Sequence, residues 1–147
     1  MVLPILASDR FTPEHGLRIT VQVPDQYTQK IVDVVLKVVS LKYGDYDSVT
    51  FKTALGVQQF KSLGSGRNAA TEAVLQVPCV ELSFFTVNAG PLVAQVLEAI
   101  YSAHPYEEPV IFVEECLRTQ HIRGMDEDNP HKFWNSAPAD WVPKEHR

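Results

Sequence analysis

Between Ala103 and Pro109 the chain reads Ala-His-Pro-Tyr-Glu-Glu-Pro, an imidazole, a phenol and two carboxylates framed by two prolines. Imidazole nitrogen and carboxylate oxygen are ordinary ligands of divalent transition metals. His104 and Glu107 are therefore a candidate metal pair, with Glu108 and Tyr106 as further oxygen donors. Pro105 and Pro109 restrict the loop, which lowers the entropy lost on binding. The same residues also suit a purely structural use. His and Tyr would then satisfy backbone groups at a helix end, and the prolines would shape the turn.

Other candidates are weaker. Gly64-Ser-Gly-Arg-Asn68 could cradle an anion through backbone N–H groups, with Arg67 as charge partner. It lacks the lysine and the following helix of a phosphate-binding loop, so it reads as a flexible loop. Cys79 and Cys116 are too few for a disulfide framework, and no Cys-x-x-Cys is present. Both fall on expected strands, where a free cysteine behaves as a small buried hydrophobe. No Ser-His-Asp or Cys-His arrangement has supporting context.

The elements that must position these groups follow from periodicity. Leu17-Arg-Ile-Thr-Val-Gln-Val23 alternates apolar and polar residues, the pattern of a half-buried strand. Pro24-Asp25 stops it, and Asp25 is placed to cap a helix. Ile31, Val34, Val35, Val38 and Val39 recur at spacings of three and four and make one apolar stripe, with Gly44 placed to end the helix. Ser48–Phe51 reads as a strand start, Val57–Leu63 as a further strand candidate, and Val77–Val87 as the strongest strand. Asn88 is placed to cap a second helix, with Pro91 in its first turn and a stripe of Leu92, Val93, Val96, Leu97 and Ile100. Pro105 ends that helix, and Val110–Val113 is a last strand.

The order β-α-β-β-α-β predicts an α+β, ferredoxin-like sandwich with extended middle strands. It divides as an arm over 1–16, a domain over 17–118 and an irregular tail over 119–147. That tail holds Phe133, Trp134 and Trp141. Three aromatic residues so close together suit docking on the protein's own sheet or on a neighbouring subunit. A lid over a cleft is the alternative, in which His121 and His131 would join His104.

Whole-chain properties narrow the class. A chain of 147 residues suits one domain. At that length about 68–70% of the unfolded surface can be buried, so no staple is required. Hydrophobic residues make up 45% and charged residues 21%, as in soluble globular proteins. The net charge of -5, with no basic patch, argues against nucleic acid. The apolar start, Met1–Ala7, contains Pro4 and has no basic residue before it, which makes it a poor signal peptide. The richest apolar stretch, Ile31–Leu41, falls far short of the roughly 20 residues that span a bilayer. The expectation is a cytoplasmic protein with reduced cysteines and no membrane partner.

Ser102-Ala-His-Pro-Tyr-Glu-Glu-Pro109 resembles the signature loop of the CutA/PII-like domain inserted in YqfO-type (NIF-three-like) proteins. Tyr43-Gly-Asp-Tyr-Asp-Ser-Val-Thr-Phe51 and Gly56-Val-Gln-Gln-Phe60 are similar to two further strings of that domain, in the same order and at about its spacing. The resemblance covers roughly residues 17–118. It departs at Gln58 and Ser62, where the family has Gly and Pro, and at Ser83 and Phe85, where it often has Arg and Glu. The α/β segments that carry the YqfO-type dinuclear metal site are not here, so no metal-dependent hydrolase activity follows.

The resemblance implies a CutA/PII-like fold and a homotrimer, with ligands where subunits meet. Unpaired edges of the middle strands give that assembly a physical motive. It also carries over Tyr46, Asp47, Tyr106 and Glu108 as ligand-binding residues, and His104 and Glu107 as ligands of a divalent metal ion. The expected function is a non-enzymatic trimeric binding module holding a metal ion or small ligand at the loop. The alternatives are an enzyme with an inter-subunit acid/base or metal site, and a purely structural assembly module.

Overall fold

A computed structural model describes residues 4–147. The described residues form two compact units: residues 15–116, and residues 4–14 together with 117–147. Strands are β1 (Phe11–Val23), β2 (Phe51–Lys52), β3 (Gly56–Phe60), β4 (Leu75–Thr86) and β5 (Val110–His121), and helices are α1 (Thr28–Leu36) and α2 (Gly90–Ala103).

The larger unit is an α+β sandwich of the ferredoxin-like kind. Its sheet runs β2-β4-β1-β5, and β3 also pairs with β4. β1 and β4 are antiparallel, with Leu17 opposite Thr86 and Val23 opposite Val80. Alternation in β1 therefore sorts its side chains. Leu17, Ile19, Val21 and Val23 are buried, and across from them lie Val80, Leu82, Phe84 and Thr86, also buried. Ile31 and Val35 of α1 and Val96, Ile100 and Ala103 of α2 close the core over this face. The opposite face of the sheet carries Arg18, Thr20, Gln22, Glu81 and Ser83.

Several local expectations are corrected. β1 starts at Phe11, six residues before the alternation at Leu17, and so includes the supposed arm residues Pro13–Gly16. Asp25 does not cap α1: it opens a 3-10 turn over Asp25–Tyr27, and its carboxylate pairs with Lys52 Nζ at 3.0 Å. The helix stops at Leu36, within its β-branched run, although Val38 and Val39 still pack against the core. Leu41 (φ 54°) redirects the chain, and Gly44 (φ 61°) serves a tight turn in which Tyr43 and Tyr46 bond each other's backbone at 2.7 and 3.1 Å. A glycine with positive φ at the first central position is what such a two-residue loop needs. Asn88 is not the cap of α2. Ala89 holds that position, which sets Pro91 in the first turn as expected. The first middle strand shrinks to two residues at its predicted end.

The smaller unit is tied by side chains. Arg10 Nε reaches both oxygens of Asp126 at 3.1 Å. Arg118 pairs with Glu14 at 3.0 Å, and Gln120 donates to the same carboxylate. Bonds from Asn129, then from Arg10, hold the Asp126 carboxyl below its ordinary range. Phe133 meets Trp134 and Trp141 edge to face, at 5.3 and 6.0 Å, and Trp134 Nε1 donates to the Glu127 carbonyl at 2.9 Å. Val142 is buried.

Candidate functional site

The motif loop begins where α2 ends. His104 is the C-terminal cap residue, and its extended backbone (φ −78°, ψ 134°) turns the chain off the helix, as a residue before proline must. Its ring is buried at 8% exposure. Nε2 lies 2.7 Å from the carbonyl of Gln22, at the end of β1. A carbonyl only accepts, so Nε2 carries the proton and donates it. Nδ1 is then the lone-pair nitrogen, and it accepts the Tyr106 backbone N–H at 3.1 Å. The two rings lie 4.8 Å apart at 55°. Burial lowers the His104 pKa, opposed in part by the Gln22 bond.

Tyr106 is half-buried. Its hydroxyl lies out of water with no conventional hydrogen-bond partner, beside the thiol of Cys79, a buried free cysteine. Burial first, and the thiol next, push the phenol above its ordinary value. Glu107 turns away from His104. Its Oε1 accepts the backbone N–H of Arg67 at 2.8 Å, in the loop between β3 and β4. A Cβ at Gly66 would sit 2.8 Å from that oxygen, so the backbone approaches the carboxylate closely. The Gly64–Asn68 loop is further bonded to itself. Ser62 Oγ donates to the Asn68 carbonyl at 3.1 Å, and Thr71 N–H donates to the Ser62 carbonyl at 3.1 Å. The loop read from sequence as flexible thus donates a backbone N–H to a carboxylate of the chain itself.

His104 and Tyr106 are therefore brought together, and Glu107 is joined to the Arg67 loop. Glu108 is exposed. Tyr46 and Asp47 lie on the turn after α1 and bond locally. Tyr46 is 61% exposed, and Asp47 accepts from Ser48 Oγ at 3.0 Å. As arranged, His104 and Glu107 do not fit a resident metal. Nδ1 has its lone pair filled, Nε2 is protonated and Glu107 faces a backbone amide. Among the described residues no three His, Cys, Asp or Glu side chains gather around one point. The sequence reading missed Gln22, whose role is a backbone carbonyl with no residue signature.

No helix among the described residues is long and apolar enough to cross a membrane. No protein-family model matches the chain, and no curated protein sequence matches it. Solved structures do. A Bacillus cereus protein related to NIF3 superposes with a TM-score of 0.59 at 20% identity, over 76% of this chain and 28% of that one. The divalent ion tolerance protein CutA1 from Ehrlichia chaffeensis superposes at 0.50 with 12% identity, over 70% of this chain and 81% of that one. B. subtilis GlnK matches at 0.46 with 12% identity, over 70% and 86%. The fold is CutA/PII-like. This chain spans little more than a quarter of the NIF3-related protein.

Proposed function

We propose that this chain is a non-enzymatic, self-associating binding module of the CutA/PII-like type, a cytoplasmic homotrimer that holds a small ligand beside the His104–Glu108 loop. The observation that carries the reading is the Glu107 junction. It fastens the motif loop to the connection between β3 and β4 at 2.8 Å. That connection and the chain on either side of it expose Leu55, Val57, Phe60, Leu63, Val74 and Leu75. An apolar arm of this kind suits a neighbouring copy. A ligand at the motif loop would then lie where subunits meet.

His104 holds the loop in place and has no free nitrogen, which speaks against acid–base work there. Glu108 on the motif loop, and Tyr46 and Asp47 on the turn after α1, are the groups left for a ligand. The Ehrlichia CutA1 is by name a divalent ion tolerance protein, and a divalent ion remains one of the ligands to try here. Binding one through His104 and Glu107 would require both to leave their present partners.

Native mass spectrometry of the full chain purified without chelator, with metal analysis of the same sample, tests the reading. A trimer is expected, with an added mass that Glu108→Gln removes. A monomer overturns the assembly. A trimer with no added mass and no calorimetric heat on titration with zinc, copper or manganese ions overturns the divalent-ion form.

A further inference from the structure

The aromatic residues of the smaller unit are open to solvent and yet held in place. Phe133 meets Trp134 with ring centroids 5.3 Å apart at 82°, and meets Trp141 at 6.0 Å and 81°. Both indoles thus stand nearly perpendicular to one phenyl ring. Each edge-to-face contact uses the π face of only one ring, so most faces of the cluster are left over. Trp134 is 51% exposed and Trp141 is 72% exposed.

The backbone beneath these rings is fixed. Trp134 Nε1 and Asn135 Nδ2 both donate to the Glu127 carbonyl, at 2.9 and 2.8 Å, and Asn135 Nδ2 also donates to the Asn129 carbonyl at 2.8 Å. The Arg147 guanidinium donates to the carbonyls on either side of Trp141, to Val142 at 2.8 Å and to Asp140 at 3.1 Å. Val142 itself is buried. Exposed rings on a pinned backbone form a preorganised surface, which keeps the ordering cost of binding low. The charges nearby are sorted as well. Lys132 acts on the Asp126 carboxylate, and Arg147 is turned to backbone carbonyls. Among the described residues, no hydrogen bond or ion pair engages the carboxylates of Glu127, Asp128, Asp140 or Glu145, against which stands the uncommitted Lys144.

We propose that this cluster binds a quaternary ammonium group of the choline type. Such a cation donates no hydrogen bonds, and the negative faces of indole and phenyl rings attract it. Two rings set at right angles contact it on two sides. The uncommitted carboxylates add attraction for a cation and oppose an anion. A primary ammonium holds its water more strongly and is taken less well. Trp134 and Trp141 are the two tryptophans of the chain, so indole fluorescence reports this cluster alone. The cluster lies within the smaller unit and does not rest on the reading given for the motif loop.

Fluorescence titration of the full chain tests the proposal, with choline and tetramethylammonium as probes. The controls are sodium chloride at equal ionic strength and the uncharged alcohol in which carbon replaces the choline nitrogen. A saturable change is expected with both probes, and binding weaker by about fivefold or more for the alcohol. Trp141→Leu should weaken choline binding by about fivefold or more, with Trp134 left as reporter. Tyr101→Leu, at an exposed aromatic residue of α2, should leave it unchanged. A thermal melt of each variant checks that it folds. Phosphatidylcholine vesicles that compete with bound choline assign a lipid headgroup as the source, and vesicles without effect assign a free small molecule. No saturable change with either probe overturns the proposal, as does equal binding of the alcohol or binding that survives Trp141→Leu. A lower native mass for Trp141→Leu assigns the cluster to a contact between copies and overturns it equally.

Discussion

His104 shows how a residue suited to chemistry can be committed to structure. Its imidazole is buried, donates to Gln22 and accepts from Tyr106. Protonation at Nδ1 would remove the acceptor for the Tyr106 N–H and bury a charge. The folded pKa lies below the ordinary 6.5, burial being the larger cause. In that window the unfolded chain binds a proton that the folded chain excludes, so the contribution is complete above 6.5 and is lost as pH falls below it. Urea midpoints should drop on acidification through 6.5, and His104→Ala should flatten that slope. The same variant should cost about 2 kcal/mol at neutral pH, since it orphans a buried carbonyl and an N–H. An unchanged slope would show that another group titrates there. Asp126 acts at lower pH. Its depressed folded value means that stability present above 3.8 is lost as pH falls through the folded value.

Element-scale behaviour is best read at two glycines. Gly16 lies in β1, where an added Cβ would come within 2.2 Å of the Phe85 ring and 2.5 Å of the Thr86 carbonyl oxygen. That oxygen is backbone of the paired strand and cannot swing aside. Gly16→Ala should therefore shift the β1–β4 pairing and cost about 1–3 kcal/mol, read as a lower denaturation midpoint. At Gly66 the obstacle is the end of the flexible Glu107 side chain. Gly66→Ala and Glu107→Ala should leave global stability within about 0.5 kcal/mol, as for ordinary surface changes. Both should release the loop, so trypsin should cut after Arg67 faster in each variant than in the native chain. Unchanged cutting in both would mean that the Glu107 bond does not hold the loop.

For the molecule as a whole, the open question is what meets the apolar arm. Phe60 and Leu63 are 40% and 86% exposed on the segment that Glu107 fastens. Contiguous apolar surface of this kind marks an interface or an aggregation hazard. Phe60→Glu with Leu63→Glu should lower the native mass by dissociating the proposed homotrimer, while the circular dichroism of the fold is retained. A mass unchanged by the double substitution would place the contact between copies elsewhere. That result would also detach the motif loop from any inter-subunit site.

The features legible in the sequence were those set by local periodicity. Alternation over Leu17–Val23 put four side chains on one buried face, and the Ile31 and Val35 stripe found the core, because strand and helix periods act over a few residues. The element order then identified the sandwich. Caps were less legible: Asp25 and Asn88 have the right chemistry, yet Lys52 takes the first and Ala89 displaces the second. The sequence alone also singled out the His-Pro-Tyr-Glu-Glu-Pro string, since its residue types are unusual together. What each member bonds was decided only in three dimensions. His104 meets a carbonyl 82 positions away and Glu107 an amide 40 positions away, and neither backbone group leaves a mark in the residue code. Phe133 and Trp141 are near each other in the chain, yet their perpendicular packing depends on Arg147 and the buried Val142, which fix the turn that carries Trp141.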